Sequence, residues 1–207
     1  MQTRVRQILD QEAEAVRKIP VTESYNQAIA LIHKHVHLLK GKLVTSGMGK
    51  AGQIAQNIAT TFSSTGTPAV FLHPSEARHG DLGVLHENDI MLVISNSGRT
   101  REILELIELK DNLFPNMPVV VITGNNSSPL WKGASVGLYT GGPAEVCPLG
   151  LTPTTSTTVM TVIGDVLVVL MIEKTGFTAA EYAKRHHGGY LGYKSRECSG
   201  NSGETIY

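Results

Sequence analysis

The chain has 207 residues, which at roughly 100–200 residues per domain makes one domain able to bury about 70% of its unfolded surface without a disulfide or metal staple. Its 18 Lys and Arg balance 18 Asp and Glu, which excludes a nucleic-acid binder working through phosphate neutralisation and a polybasic membrane anchor. Any anionic ligand must therefore be held by local groups, and 21 glycines with only 5% aromatics suit tight turns and close backbone approach to one.

The first predicted helix carries Val5, Ile8, Leu9, Ala13 and Val16 at helical spacing and stops before Pro20. This charged opening lacks the apolar core of a secretory signal. Thr22 caps a second helix, whose Ala28, Ile29, Leu31, Ile32 and Leu38 lead towards Gly41. Short apolar runs at residues 43–44, 69–72, 90–94, 119–122 and 136–139 then alternate with helices over residues 52–62, 100–113 and 154–174. Runs rich in β-branched residues without polar alternation are strands covered on both faces. Repeated strand–helix units with right-handed crossovers predict an α/β fold, a three-layer αβα sandwich. The most apolar run, residues 166–172, is far shorter than the about 20 residues a bilayer span needs. A cytoplasmic chain is expected. Residues 1–195 form the domain; residues 196–207 are polar and Gly/Ser-rich and are expected to be a disordered tail.

Ligands of such sheets sit beyond the carboxyl ends of the strands, at the topological switch point, so the strand-to-helix loops are where chemistry is sought. The loop after the first strand, Ser46-Gly47-Met48-Gly49-Lys50-Ala51-Gly52, is formally G-x-G-x-x-G. A dinucleotide site would place an acid at the end of the second strand. Glu76 stands near that distance but follows Pro74 and opens a polar loop, and a dinucleotide loop gains nothing from Lys50. The loop after the third strand, Ser95-Asn96-Ser97-Gly98-Arg99-Thr100, offers three hydroxyls beside the free N–H groups of a helix start, a compact anion site. A bare N-cap explains one of those hydroxyls, not three. A third cluster, Thr152 to Thr158, packs six hydroxyl residues into seven positions. Thr154, Thr155, Ser156 and Thr157 read equally well as a polar wall for a polyhydroxylated ligand or as an over-determined helix start. His79, in a polar loop with two glycines, and His186, before Gly188-Gly189, are proton-transfer candidates. Glu102 and Glu145 are the nearby carboxylates, with Arg99 and Arg101 placed to bridge Glu102 or hold a phosphate. Cys147 and Cys198 make neither a disulfide framework nor a zinc set.

Taken together, Gly47-Met48-Gly49-Lys50, Gly66-Thr67-Pro68, His73-Pro74-x-Glu76-Ala77-x-His79-Gly80-Asp81-Leu82-Gly83, Ile94-Ser95-Asn96-Ser97-Gly98, Cys147-Pro148-Leu149-Gly150-Leu151-x-Pro153-Thr154 and His186-x-Gly188-Gly189-x-Leu191-Gly192 resemble D-arabinose-5-phosphate isomerases of the sugar isomerase (SIS) fold. The order and spacing agree over about residues 40–192. The resemblance implies a flavodoxin-like five-stranded parallel sheet, a homotetramer with active sites shared between subunits, and no required cofactor or metal. It implies interconversion of D-ribulose 5-phosphate and D-arabinose 5-phosphate, the first step towards the bacterial sugar Kdo of lipopolysaccharide and some capsules. The family's active-site positions fall on Lys50, His79, Glu102, Glu145 and His186, with His186 the residue lent by a neighbour.

Three features depart from the family pattern. Relatives commonly carry a pair of C-terminal CBS domains, and here the chain stops after the isomerase unit. Arg99 stands where relatives often have Glu, and His187 replaces the usual Pro after His186. Without CBS domains, a feedback ligand such as Kdo or its nucleotide-activated form is expected in the active cleft itself. On this reading Ser95, Ser97 and Thr100 fix the phosphate with Asn96 beside them, and Ser46 and the Gly47 backbone stand opposite. Lys50 steadies the enediolate, and the histidines and glutamates divide the proton transfers. Two rivals are a non-catalytic sugar-phosphate sensor on the same fold and an isomerase of another phosphorylated sugar, such as a hexulose phosphate.

Overall fold

The structure, a computed structural model, describes residues 1–198. Its centre is a sheet of five strands, β1 (Leu43–Gly47), β2 (Ala69–Phe71), β3 (Ile90–Ile94), β4 (Val119–Thr123) and β5 (Val136–Tyr139). All neighbouring pairs are parallel, in the order β2-β1-β3-β4-β5. Every residue of β1, β3 and β4 is buried, as continuous apolar runs in a doubly covered sheet require.

Side chains alternate across the pleat, and β3 therefore serves two cores. Ile90, Leu92 and Ile94 pack with Ile29 of α2 (Ser24–Ile32), Phe62 of α3 (Gly49–Ser64) and Ile163 of α7 (Thr155–Thr175). Met91 and Val93 pack on the other face with Ala77 of α4 (Pro74–Ala77) and with Ile103 and Leu106 of α5 (Arg101–Leu113). Helix α1 (Gln2–Arg17) buries none of its residues and lies along α7. Short pieces with too few turns to show a period complete the chain: α6 (Pro129–Lys132) and a 3₁₀ turn at Asp81–Val84.

Several boundaries differ from the sequence expectation for local reasons. Helix α3 starts at Gly49, which at φ +57° turns the chain sharply from strand to helix, a conformation that costs glycine least. Helix α2 ends at Ile32 and widens into a π-helical turn, His33–Leu38, from which His35 reaches the Asn88 carbonyl and His37 the Thr67 hydroxyl, each at 3.0 Å. The apolar run at residues 166–172 is the middle of α7, whose 21 residues are long and apolar enough to cross a bilayer. Here α7 is a core helix instead, with Met160, Ile163, Leu167 and Met171 buried.

Beyond α7, Gly176 in the left-handed region ends the helix, and α8 (Ala179–Ala183) and α9 (Gly189–Cys198) pack on each other. Phe177 lies over Gly66, where a Cβ would stand 2.7 Å from its ring. Gly66 precedes β2, and the neighbouring Pro68 carbonyl accepts the N–H of Leu43 at the start of β1. The α8–α9 unit thus sits at the amino ends of the strands. Arg196, Glu197 and Cys198, expected as the start of a disordered tail, are the last residues of α9; residues 199–207 of that expected tail lie outside the described residues.

Candidate active site

After β1 the chain turns to α3 on one face, and after the adjacent β3 it turns to α5 on the other. The two loops diverge and leave a crevice at the carboxyl ends, as a switch point demands. That crevice is a pocket of about 420 Å³ lined by Met48 just before α3, Lys50 and Ala51 of α3, Ile94 at the end of β3, Ser95, Asn96, Ser97 and Thr100 from the loop that follows it, and Pro153, Ser156, Thr157 and Met160 from the approach and start of α7. A larger hollow, about 930 Å³, lies beside residues 1–9 of α1 and is lined by no carboxylate, imidazole or thiol.

The β3 loop is held before any ligand arrives. The Ser95 and Thr100 hydroxyls are 2.9 Å apart, and Ser95 Oγ accepts the Gly98 N–H. The Ser97 hydroxyl accepts the Arg99 N–H at 3.1 Å. From the β4 side, Gly124 N and the Thr123 hydroxyl donate to the Asn96 carbonyl, Asn125 Nδ2 donates to the Ser97 carbonyl, and Leu130 N donates to the Gly98 carbonyl. Gly98 has φ +60°, and a Cβ there would fall 2.1 Å from Ser128 Oγ. The first-turn N–H groups of α5 have no acceptor within the helix, and with the helix dipole they favour an anion in front of the helix start, beside the paired Ser95 and Thr100 hydroxyls. Exposed Lys50, in the first turn of α3, adds a full positive charge to the same pocket.

Helix α7 also points its N-terminus here, but Glu145 already occupies it. One carboxylate oxygen, Oε2, accepts Thr154 N at 2.7 Å, the Thr154 hydroxyl at 2.8 Å and Ser156 N at 3.2 Å. Burial raises the Glu145 pKa, and the hydrogen bonds from Ser156 and Thr154 more than offset this, leaving it below the usual carboxylate value. Thr155 is buried against α1: its hydroxyl donates to Glu12 Oε1 at 2.9 Å and accepts the Val146 N–H. The Cys147 thiol, in the loop that follows, is brought down to about 7 by hydrogen bonds from the Thr152 side chain and from the backbone of Thr152, Leu149 and Leu151.

Of the residues singled out in the sequence, the structure gathers Lys50, Ser95, Asn96, Ser97, Thr100, Ser156 and Thr157 in one pocket. It corrects others. Ser46 is fully buried and its hydroxyl donates to the Leu72 carbonyl at 2.7 Å, while Gly47 is packed against the α3 backbone. Neither lines the pocket, because the Ser46 hydroxyl is turned to the Leu72 carbonyl and Gly47 is covered by the first turn of α3. Thr154 and Thr155 serve the start of α7, and Glu145 caps it. Arg101 pairs with Glu105 at 2.8 Å, as does Arg78 at 2.7 Å, so Arg101 does not bridge Glu102. Partly buried Glu102 and exposed His79 lie outside the lining, although His79 follows α4 at the carboxyl end of β2, the same end as Ser97. His186 is on the α8–α9 unit at the opposite end. The apolar lining of Met48, Ile94 and Met160 had no separate signal in the sequence, since core and pocket-wall residues of a buried sheet look alike.

The SIS domain profile matches residues 39–170. The arabinose 5-phosphate isomerase KdsD of Shigella flexneri is 46% identical over 169 residues, which are 82% of this chain and 51% of that protein; the chain spans about half the length of the curated relatives it matches. The crystal structure of a Bacteroides fragilis NCTC 9343 chain, described as a phosphosugar isomerase involved in capsule formation, is 65% identical with a TM-score of 0.89, over 90% of this chain and 97% of that one. An Escherichia coli CFT073 protein in complex with arabinose 5-phosphate is 33% identical with a TM-score of 0.81, over 88% of this chain and 95% of that one.

Proposed function

The chain belongs to the SIS-domain family, and on that footing we propose that it is an aldose–ketose isomerase interconverting D-ribulose 5-phosphate and D-arabinose 5-phosphate, the first step towards Kdo for lipopolysaccharide or capsule. The observation that carries this reading is the pocket itself: a hydroxyl-lined helix start and the Lys50 ammonium face each other at the switch point. A phosphate dianion binds the Ser95, Ser97 and Thr100 hydroxyls and the N-terminus of α5. That handle fixes the sugar chain towards α3. A base takes a proton from C1 of the ketose, giving a 1,2-enediolate. Return of a proton to C2, with exchange of a proton between O1 and O2, gives the aldose. Lys50 stabilises the enediolate charge, the step at which a positioned cation contributes most.

Proton transfer needs imidazoles or carboxylates within reach of C1 and C2. Glu145 is engaged with α7 and acts by holding Ser156 and Thr157 in place. Glu102 is the nearest unassigned carboxylate in sequence to the phosphate loop. His79, at the carboxyl end of β2, serves from the same end of the sheet as the phosphate loop, and His186 completes the site from a neighbouring copy in a cytoplasmic homotetramer. A downstream anionic sugar, Kdo or its nucleotide-activated form, competes for the same cleft.

The test is turnover of D-ribulose 5-phosphate by the purified chain, against a panel of pentose and hexose phosphates. The expected result is a clear preference for the ribulose–arabinose pair and a fall of roughly 10²–10³-fold in kcat for Lys50→Ala. Tight binding without turnover would instead mark a sugar-phosphate sensor, and preference for a hexulose phosphate would reassign the substrate.

A further inference from the structure

His186 is held by one residue in two ways. The Tyr182 carbonyl accepts both the backbone N–H of His186, at 3.1 Å, and a contact from its ring Nδ1, at 3.1 Å. A carbonyl oxygen has no proton to give, so Nδ1 is the donor, and the neutral ring then keeps its lone pair on Nε2. The Tyr182 ring lies flat against the imidazole, with centroids 3.7 Å apart and planes 7° from parallel, a contact that favours this one ring orientation. The backbone is pinned as well: a Cβ on Gly192 would stand 2.3 Å from the His186 carbonyl oxygen. The Glu181 carboxylate is engaged by Lys184 and Arg185 and does not compete for the ring. Nε2 is not buried and has no hydrogen-bond partner among the described residues.

We propose that Tyr182 is a positioning residue for the isomerisation: it locks His186 as the Nδ1–H tautomer, so that Nε2 is the atom offered to a neighbouring copy's pocket. This rests on the isomerase reading above. In the forward direction Nε2 accepts a proton from the sugar as its C–H or O–H bond breaks, and the resulting imidazolium returns one from the same nitrogen, so the protons balance without another donor. A free imidazole samples both tautomers and many rotamers; a clamped one meets the sugar in one geometry, and loss of such orientation costs roughly tenfold to a hundredfold in rate.

Two measurements on the full chain test this. Nitrogen-15 NMR of the imidazoles, at a pH well above the ordinary histidine range and with the His186 signals assigned by their loss in His186→Ala, is expected to show the Nδ1–H tautomer alone; an Nε2–H or mixed tautomer would overturn the proposal without any variant of Tyr182. In kinetics, Tyr182→Ala, which keeps the backbone carbonyl and removes only the stacked ring, is expected to lower kcat by roughly tenfold to a hundredfold with KM changed less than about twofold, and Tyr182→Phe, which restores the ring, is expected to recover the loss. A folded Tyr182→Ala with wild-type kcat would overturn the proposal. If Tyr182→Ala does not fold, the wild-type spectrum decides. A wild-type chain that binds but does not turn over pentose phosphates would overturn the isomerase reading itself, whatever the tautomer.

Discussion

Glu145 stands two residues before Cys147, in a segment whose spacing offers a proton donor, and its neighbours decide otherwise. With three hydrogen bonds on Oε2 from the start of α7, it is the side-chain cap of a 21-residue helix. Glu145→Ala should lower stability by about 1 kcal/mol in urea denaturation, the usual cost of a lost cap, and should raise KM more than it lowers kcat. Its folded pKa is depressed, burial opposing and the Ser156 and Thr154 hydrogen bonds prevailing. The unfolded chain therefore binds the proton more readily, and this contribution is present above the ordinary carboxylate range and lost as pH falls through and below it. In the wild type, acid titration should show that loss, and in Glu145→Ala it should be smaller. Cys147 is the other residue set by its surroundings. With its thiol at about 7, the rate of alkylation should rise with a midpoint near that pH, below the about 8.5 of a free cysteine; Thr152→Val should move the midpoint up, since the Thr152 side chain is the largest cause. Residue types named both groups in the sequence, but which hydrogen bonds they accept depends on a loop that no periodicity describes.

At the scale of elements, the β3–α5 turn is the part on which the proposed phosphate binding depends, and it is bolted to the β4–α6 turn. Gly98 is where they touch: the backbone is left-handed and the space for a side chain is taken by Ser128 Oγ at 2.1 Å. Gly98→Ala should therefore destabilise the fold by about 1–3 kcal/mol, as overpacking does, and, by pushing the turn away from Ser128, should weaken competitive inhibition by inorganic phosphate. Titration of the isomerase assay with phosphate, beside a melting curve, checks both. The strand runs and the three long helices were legible because a doubly covered sheet leaves continuous apolar runs and a packed helix leaves a period. The short α4, α6 and α8 were not, since one turn carries no period, and neither was the π-helical turn after α2, whose shape follows contacts of His35 and His37 with residues far along the chain.

The whole molecule divides its own candidate groups between two ends. Lys50 and the hydroxyls lie at the carboxyl ends of the strands, whereas His186 is tied to the amino ends through Phe177 and Gly66. Within one copy the two groups lie at opposite ends of the sheet. Outside the sheet, Val5 and Leu9 of α1 and Val166 and Val169 of α7 are exposed apolar side chains on helices that already pack together, a surface of the kind that subunits cover. Co-expressed Lys50→Ala and His186→Ala chains should then form mixed oligomers with more activity than either variant alone, because some sites inherit both intact groups. Activity no higher than the single variants, with mixing verified by mass, would show that each site is built from one chain.

The sequence by itself determined the layered α/β architecture, the parallel sheet and the hydroxyl-rich turn after β3, because those features are written in local patterns: apolar runs, helical periods, and hydroxyls and glycine where a strand gives way to a helix. Only the tertiary structure decided which hydroxyls face the pocket and which serve the framework. Ser46 donates to Leu72, Thr155 to Glu12, and Glu145 accepts from α7, all between residues brought together by folding. The physical reason is that a polar group's role is set by whether a partner satisfies it on burial, and partners distant in sequence leave no trace in spacing.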